Sequence, residues 1–303
     1  MFGQTSPQLC LGEFIPCAGS LECVLDLSLC GACTLGQYRC PQVPVAGSTP
    51  TCVSSADDYV HCPGLNGTHL DWTAPTEGRL DALVAAMTLD EQIGQLQNAA
   101  PPVLRLGIPG YQWLNDDQHG VARTPAYATV FPNGCGIAAG WSTPTVAAIG
   151  AAIANEARGL HNGFLHAAPN ASAPLLRPVG CNGCGITLYS PNLNIVKDPR
   201  WGRAQETFGE DPTLTASLVT AFVRAAQASE TKALTVGMCC KHFAAYDLED
   251  RPTARYTFNA TVGARDLWET YLPAFKACVV DAAASHVMCS YNQAHVVSGA
   301  EWR

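Results

Sequence analysis

Helical periodicity marks several stretches of the chain. Leu80, Leu83, Val84 and Met87 recur at i, i+3, i+4 and i+7, one face of a helix. Thr88-Leu89-Asp90-Glu91 reads as a capping box that opens a second helix, ending near Leu96. Thr143-Pro144 supplies an N-cap followed by proline at the first helical position. Val146, Ile149, Ile153, Ala157 and Leu160 then share a face. Asp211-Pro212 repeats the device ahead of Leu214, Leu218, Phe222 and Ala225. A last helix is expected over Ala264 to Ala284. It carries Leu267, Tyr271, Phe275 and Val279 on one side, with a kink at Pro273.

Short apolar runs lie between the helices: Gly185 to Val196, Leu234 to Cys240, His286 to Cys289, and a less regular one at Leu106 to Leu114. Such alternation predicts repeated βα units and a parallel sheet. An open doubly wound sheet and a (β/α)8 barrel both fit. No G-x-G-x-x-G or Walker A sequence follows a strand, which takes support from a nucleotide-binding open sheet. In either closure, polar residues just past a strand's C-terminal end are the functional candidates.

Composition narrows the classes. The chain has 303 residues, 48% hydrophobic and only 14% charged, enough to bury a large core. Its net charge is −8 and its basic residues are scattered, which argues against nucleic-acid and anionic-membrane partners. No run of about 18 apolar residues exists, so no transmembrane helix is predicted.

Of 15 cysteines, eight fall early: Cys10, Cys17, Cys23, Cys30, Cys33, Cys40, Cys52 and Cys62. So short a segment cannot build its own core, and we expect a disulfide-stapled module over residues 1–70, followed by the main domain over 71–303. Zinc is the rival reading, but Cys30-Gly31-Ala32-Cys33 has no second C-x-x-C at finger spacing. Sequons at Asn66, Asn170 and Asn259 agree with an oxidising, extracellular compartment. Met1-Phe2-Gly3-Gln4-Thr5 shows no basic or apolar export region, so no signal peptide is read there.

Polar clusters sit at the expected strand ends. They are Asn115 to Gly120, Lys197 to Arg203, Lys241-His242 and Ser290-Tyr291-Asn292. Together they offer carboxylate, guanidinium, ammonium, imidazole and phenol groups at one rim. Such a mixture of donors and acceptors suits a neutral polyhydroxyl ligand such as a sugar. The bland alternatives are an Asp198–Arg200 pair that only fixes a loop, a solvated strand end at Lys241-His242, and a core Trp201.

The stretch from Asn194 to Pro212, NIVKDPRWGRAQETFGEDP, closely resembles the signature of glycoside hydrolase family 3. Cys239 to Glu249, Val287 to Gln293 and Leu104 to Trp113 resemble the β-xylosidase branch of that family. The resemblance runs in order from about Leu80 to Gln293 and leaves the cysteine-rich module outside.

The resemblance implies an α/β fold with a (β/α)8 TIM-type barrel, incomplete here at its C-terminal end. It implies retaining hydrolysis of terminal β-linked sugars from non-reducing ends of an oligosaccharide or glycoside, with no cofactor and no metal. Asp116 matches the carboxylate that grips sugar hydroxyls in the deepest subsite. Arg203, Lys241 and His242 match the other sugar-binding groups, and Tyr291 a tyrosine lining the same subsite. Glu206 and Asp247 look like partners of the basic residues behind them. The branch usually has Glu where this chain has Asp116, and the shorter side chain leaves room for a sugar larger than xylose. The family nucleophile lies a few tens of residues past the position of Tyr291, beyond Arg303, and the general acid lies further still. The expectation is therefore a fragment of a hydrolase, inactive alone. The alternatives are a carbohydrate-binding protein without chemistry, or a replacement nucleophile at Asp247 or Asp117.

Overall fold

The structure is a computed structural model. It describes residues 69, 71, 74–124, 127–167, 183–229, 233–250 and 253–297, together with four two-residue strands. Those strands are β1 (Ile15–Pro16), β2 (Cys23–Val24), β3 (Tyr38–Arg39) and β4 (Cys52–Val53), which form the antiparallel pairs β1–β2 and β3–β4. The remainder of the cysteine-rich segment, with its expected disulfides, and the sequons at Asn66 and Asn170 lie outside the described residues. The chain divides into two compact units. One is Met1–Gln112 with Gly163–Gly180, the other Trp113–Asn162 with Cys181–Arg303.

In the first unit, α1 spans Thr76–Ala86 and α2 Leu89–Gln95. The expected capping box forms: Thr88 Oγ1 accepts from the Glu91 amide at 3.3 Å, and Glu91 accepts from the Thr88 amide at 2.8 Å. The apolar face predicted for α1 exists but is not covered, since Leu80 and Val84 are about half exposed. The strand expected at Leu106–Leu114 is reduced to β6 (Tyr111–Gln112), antiparallel to β5 (Ala99–Ala100). Pro109 interrupts the run and cannot donate to a ladder. Val103 and Ile108 close a local bridge instead.

The second unit holds the core. α3 (Gly134–Ala138) and α4 (Thr143–Ala167) come first. Ser142 Oγ accepts from the Thr145 amide, so the cap stands one residue earlier than Thr143-Pro144 suggested. Val146, Ile153 and Ala157 are buried as predicted. β7 (Thr187–Leu188) leads to α5 (Pro212–Gln227) and then to β8 (Gly237–Phe243). Asp211 caps α5, accepting from the Thr213 and Leu214 amides at 2.7 and 2.8 Å. Leu218, Val219, Phe222 and Val223 form its buried stripe. Gly150 lets α4 approach α5 closely, because a Cβ there would lie 2.6 Å from the Phe222 carbonyl oxygen.

After β9 (Asn259–Gly263) comes a helical segment made of α6 (Ala264–Asp266), a wide turn over Leu267–Tyr271, α7 (Pro273–Lys276) and a second wide turn over Ala277–Asp281. Pro273 explains the first wide turn. Its ring clashes with an α-helical carbonyl, and Leu272 N–H bonds Leu267 O, five residues back. The buried stripe then runs through Phe275, Cys278 and Ala282, and the expected Val279 is about half exposed. Cys278 is drawn inward by a disulfide to Cys240.

β10 (His286–Cys289) and β11 (Gln293–Val297) complete the strands. β7, β8 and β10 form a parallel sheet in the order β10-β8-β7, while β9 and β11 form a separate parallel pair. The alternating βα units are thus present, but the described strands do not close into a barrel. Closure needs each strand to be laddered on both sides. On the segment that precedes β7 in space, one side chain stands in for a ladder: buried Asn115 accepts from the Gly183 and Gly185 amides at 3.2 and 2.8 Å and donates to Thr187 O at 3.0 Å. No helix among the described residues is long and apolar enough to cross a membrane.

Candidate sugar-binding site

The C-terminal ends of β7, β8 and β10 gather the polar clusters within the second unit. Lys241 and His242 do not follow β8, as their position after an apolar run suggested, but lie inside it. The ladder between β8 and β10 shifts register here, pairing Met288 with Lys241 and Cys289 with Phe243, so His242 is the bulged residue. A bulge leaves its backbone groups unpaired and re-aims its side chain. Asn194 satisfies those groups: its Oδ1 accepts from His242 N at 3.0 Å and its Nδ2 donates to His242 O at 2.8 Å.

The same Asn194 Oδ1 accepts from His242 Nδ1 at 3.1 Å, which fixes the tautomer and leaves Nε2 as an acceptor. Arg203 Nη1 donates to that Nε2 at 3.3 Å. Burial first, and then the charges of Arg203, Lys241 and Arg255, push the His242 pKa down to about 2, so the ring is neutral. His242 also meets the rings of Tyr246 and Tyr291, with centroids 5.1 and 5.5 Å away.

Arg203 and Glu206 face each other as a fork, with Nε to Oε1 and Nη2 to Oε2 both at 2.6 Å. Burial opposes the arginine charge, but the Glu206 bonds outweigh it and hold its pKa above the ordinary value. Burial likewise opposes the Glu206 charge, and Arg203 outweighs it, keeping the carboxyl below its usual range. The turn that carries the pair rests on Gly134, where a Cβ would stand 2.3 Å from Glu206 O.

Lys241 as a whole is buried, at 4% exposure, but its ammonium is not sealed from solvent, and it makes no hydrogen bond or ion pair among the described residues. Burial lowers its pKa, while the charges of Asp116, Asp117 and Glu206 act against that. Asp116 is partly exposed and pairs with the exposed Arg123 at 3.3 Å. Asp117, its neighbour, is fully buried. Its Oδ2 accepts from Ser190 Oγ at 2.6 Å and its Oδ1 has no partner.

Tyr291 is placed by its neighbours: Ser290 N donates to Phe243 O at 2.7 Å, and Asn292 Nδ2 to Ala244 O at 3.3 Å. Arg255 lies 4.2 Å over the Tyr291 ring and also bonds Glu249 at 2.9 Å. Tyr246 donates to the same Glu249 carboxylate. Asp116, Arg203, Lys241, His242 and Glu206 are thus linked by bonds or fields, with Tyr291 on the ring side of His242.

Asp247 stands apart from the three basic residues it was expected to support. It accepts from Tyr271 at 3.0 Å, and its basic neighbour is Lys197. Asp198 and Arg200 pair with one another at the surface. Sequence reasoning did not single out Asn194, Ser190, Tyr246 or Arg255. Asn194 lies within the recognised stretch, but its bond to His242 spans 48 residues and leaves no local trace. No group of three or more His, Cys, Asp or Glu among the described residues could hold a metal ion.

Chemically, the site combines a solvent-accessible ammonium on a buried lysine, a locked guanidinium, a neutral imidazole and an accessible carboxylate beside aromatic rings. That set can both donate to and accept from adjacent hydroxyls.

Residues 181–299 match the family model described as "Glycosyl hydrolase family 3 N terminal domain". A curated relative, beta-xylosidase/alpha-L-arabinofuranosidase 2 of Medicago sativa subsp. varia, is 41% identical over 231 residues, 72% of this chain and 27% of the relative. The exo-1,4-beta-xylosidase bxlB of Emericella nidulans is 38% identical over 225 residues, 71% of this chain and 27% of the relative. Among solved structures, a GH3 exo-beta-xylosidase (XlnD) in complex with a xylobiose aziridine activity-based probe shares 29% identity. Its TM-score is 0.65, covering 78% of this chain and 29% of that one. The Bifidobacterium adolescentis GH3 beta-glucosidase shares 28% identity at a TM-score of 0.54, covering 70% of this chain and 27% of that one. The chain therefore spans a little over a quarter of the length of these relatives. Residues 181–299 thus belong to the glycosyl hydrolase family 3 N-terminal domain, and the wider chain is similar to beta-xylosidases and beta-glucosidases.

Proposed function

We propose that the second unit carries the sugar-gripping subsite of a retaining glycoside hydrolase that takes terminal, non-reducing β-linked sugars, of the β-xylosidase or β-glucosidase type. The observation that carries this reading is Lys241, a buried side chain whose solvent-accessible ammonium makes no hydrogen bond or ion pair among the described residues. Its three N–H donors are unspent on protein, so a ligand that enters can supply the acceptors. A sugar's vicinal hydroxyls supply them while donating in turn to Asp116.

In this reading Asp116 accepts hydroxyl protons, and Lys241 and Arg203 donate. His242 has both nitrogens engaged and aims Arg203, reaching a hydroxyl only by exchanging that bond. Tyr291 provides an apolar wall. Glu206 keeps Arg203 charged and in place. These groups bind and orient, which lowers the barrier by fixing the reacting geometry. Retaining hydrolysis proceeds by double displacement through a glycosyl-enzyme and needs two carboxyl groups about 5–5.5 Å apart. Neither Asp117, fully buried, nor Asp247, engaged by Tyr271, is given the nucleophile's role.

Asp116 in place of a longer glutamate gives room for a hydroxymethyl group, so glucose competes with xylose within about 1–3 kcal/mol. The Cys240–Cys278 disulfide and the exposed sequon residue Asn259 support residence in an oxidising, extracellular compartment, where xylan-type glycans are met. Saturation-transfer NMR with methyl β-D-xyloside, methyl β-D-glucoside and their α-anomers tests the reading. Transfer to the β-anomers is expected. Transfer to neither anomer, or equally to both, contradicts a β-sugar subsite.

A further inference from the structure

The chain that follows β7 runs beside β8 as a second backbone. Lys241 N donates to Pro191 O at 3.1 Å, and Leu193 N donates to Lys241 O at 2.7 Å. At His242 the pairing passes from backbone to side chain. Asn194 Nδ2 donates to His242 O at 2.8 Å, and its Oδ1 accepts from His242 N at 3.0 Å. A carbonyl can only accept and an N–H can only donate, so the backbone of residue 242 dictates which way the Asn194 amide faces. With its oxygen so placed, Asn194 also accepts from His242 Nδ1 at 3.1 Å.

The far side of the imidazole gives the same answer independently. Arg203 Nη1 stands 3.3 Å from Nε2, and a guanidinium has no acceptor, so Nε2 is the unprotonated nitrogen. The bonds then close a ring. From Arg203 the donors run head to tail: Arg203 to His242, His242 to Asn194, the Asn194 backbone amide to Asn192 Oδ1 at 3.1 Å, and Asn192 Nδ2 to Glu206 Oε2 at 3.4 Å. The Arg203–Glu206 fork completes it. Arg203 can only donate and an ionised Glu206 can only accept, so the ring has one direction. Asn192 and Asn194 are both buried, where water does not compete for these bonds.

We propose that Asn194 is a positioning residue of the sugar subsite: it sets the proton arrangement of this ring, and so keeps His242 Nε2 an acceptor that anchors Arg203 for the ligand. The fork holds Nε and Nη2 of Arg203, and the bond to His242 adds Nη1, so every nitrogen of the guanidinium is fixed. This inference deepens the sugar-subsite reading and rests on it for the identity of the ligand.

The groups around His242 agree. The charges that face it are Arg203 from the turn before α5, Lys241 beside it on β8, and Arg255, while Tyr246 and Tyr291 lie against its ring. Burial and three cations all disfavour an imidazolium, whose Nε2–H would confront the Arg203 N–H. An aspartate at position 194 reverses this. Its carboxylate at Nδ1 favours the imidazolium, and it cannot donate to His242 O.

The test is the His242 tautomer, read by 15N-histidine NMR of the full chain. Protonated and unprotonated ring nitrogens give well separated shifts, and an imidazolium gives two alike. A His242→Gln variant assigns the signal among the eight histidines. At neutral pH the unmodified chain should show a neutral ring protonated at Nδ1. In Asn194→Asp the ring should take its second proton at a pH at least about 1 unit higher. Affinity for methyl β-D-xyloside, compared at matched folded fraction, should fall about tenfold or more. An asparagine that served stability alone would leave the ring proton where it was. A ring protonated at Nε2 in the unmodified chain, or a folded Asn194→Asp protein that binds as tightly, overturns the proposal. If Asn194→Asp does not fold, the unmodified chain decides: methyl β-D-xyloside should shift the Nε2 signal, and an unshifted signal in a chain that binds overturns it. If the unmodified chain binds no sugar, the subsite reading fails, while the tautomer still judges the Asn194 ring.

Discussion

Replacing Gly134 by alanine tests how the Arg203–Glu206 turn is held. A methyl group there would sit 2.3 Å from Glu206 O, 2.8 Å from Glu206 C and 2.8 Å from Thr207 O. All three are backbone atoms, so no rotamer change relieves the clash. Ordinary contact needs about 3.5 Å, and the turn must therefore retreat by about 1 Å. Overpacking of this kind costs about 1–3 kcal/mol. The Arg203–Glu206 fork lies within the turn and moves with it. The bonds that tie the turn to its surroundings do not: Arg203 Nη1 to His242 at 3.3 Å, and Asn192 and Gln118 to Glu206, each at 3.4 Å. An ångström more breaks them. Misplacement of that size costs between about tenfold and a hundredfold in a positioned site. We expect Gly134→Ala to lower the urea midpoint and to weaken methyl β-D-xyloside binding at least tenfold, read by denaturation and by calorimetry. Gly159→Ala is the control. Its Cβ meets nothing within 4 Å, and it lies exposed in α4. Helix propensity predicts that it stabilises by up to about 1 kcal/mol and leaves binding alone. A Gly134→Ala protein with normal stability, or one destabilised but binding normally, refutes the reasoning.

Three further outcomes follow from the same structure. The Cys240–Cys278 disulfide closes a loop with a sequence separation of 38 residues, for which chain entropy gives about 4 kcal/mol. The double variant Cys240→Ala/Cys278→Ala should lose most of that in urea unfolding, and a loss below about 1 kcal/mol contradicts a structural role. Asp117 is held protonated to about pH 7 by burial, whereas its ordinary value is 3.8. Between those values the folded state keeps a proton the unfolded state has lost, so stability falls as pH rises, by about 4 kcal/mol in total. Asp117→Asn should remove that slope from a pH series of unfolding midpoints, and an unchanged slope contradicts it. Glu206 has the opposite sign: its depressed pKa contributes stability above the ordinary carboxyl range that is lost as pH falls through the folded value. Glu206→Gln should therefore flatten the acid limb, and an acid limb as steep as before contradicts it.

Local signals were readable from sequence where local physics decides. The Thr88–Glu91 box and the Asp211 cap form because side-chain oxygens meet amides two or three residues away. Leu218 and Phe222 lie in the core because one helix face must. Pattern failed where distant partners decide. β8 continues through Lys241 and His242 because β10 pairs with it and Asn194 completes the bulge, which no apolar count reveals. Val279 lost its place to Cys278 because wide turns around Pro273 and a disulfide reset the helix register. The apolar run at Leu106 to Leu114 contained a proline, Pro109, that outweighed its hydrophobicity. Of the candidate residues, the fork of Arg203 and Glu206 is local, three residues apart. The unpaired state of Lys241 is visible only in three dimensions.

The central claim is that sugar hydroxyls take the hydrogen bonds that the Lys241 ammonium does not make with the described residues. Isothermal titration of D-xylose into the full chain, beside a Lys241→Met variant of similar length and matched stability, tests it most directly. The account predicts saturable heat for the unmodified chain and at least about a tenfold loss of affinity in the variant, the worth of one charged hydrogen bond. No saturable heat in the unmodified chain, or equal affinity in the two proteins, would contradict it.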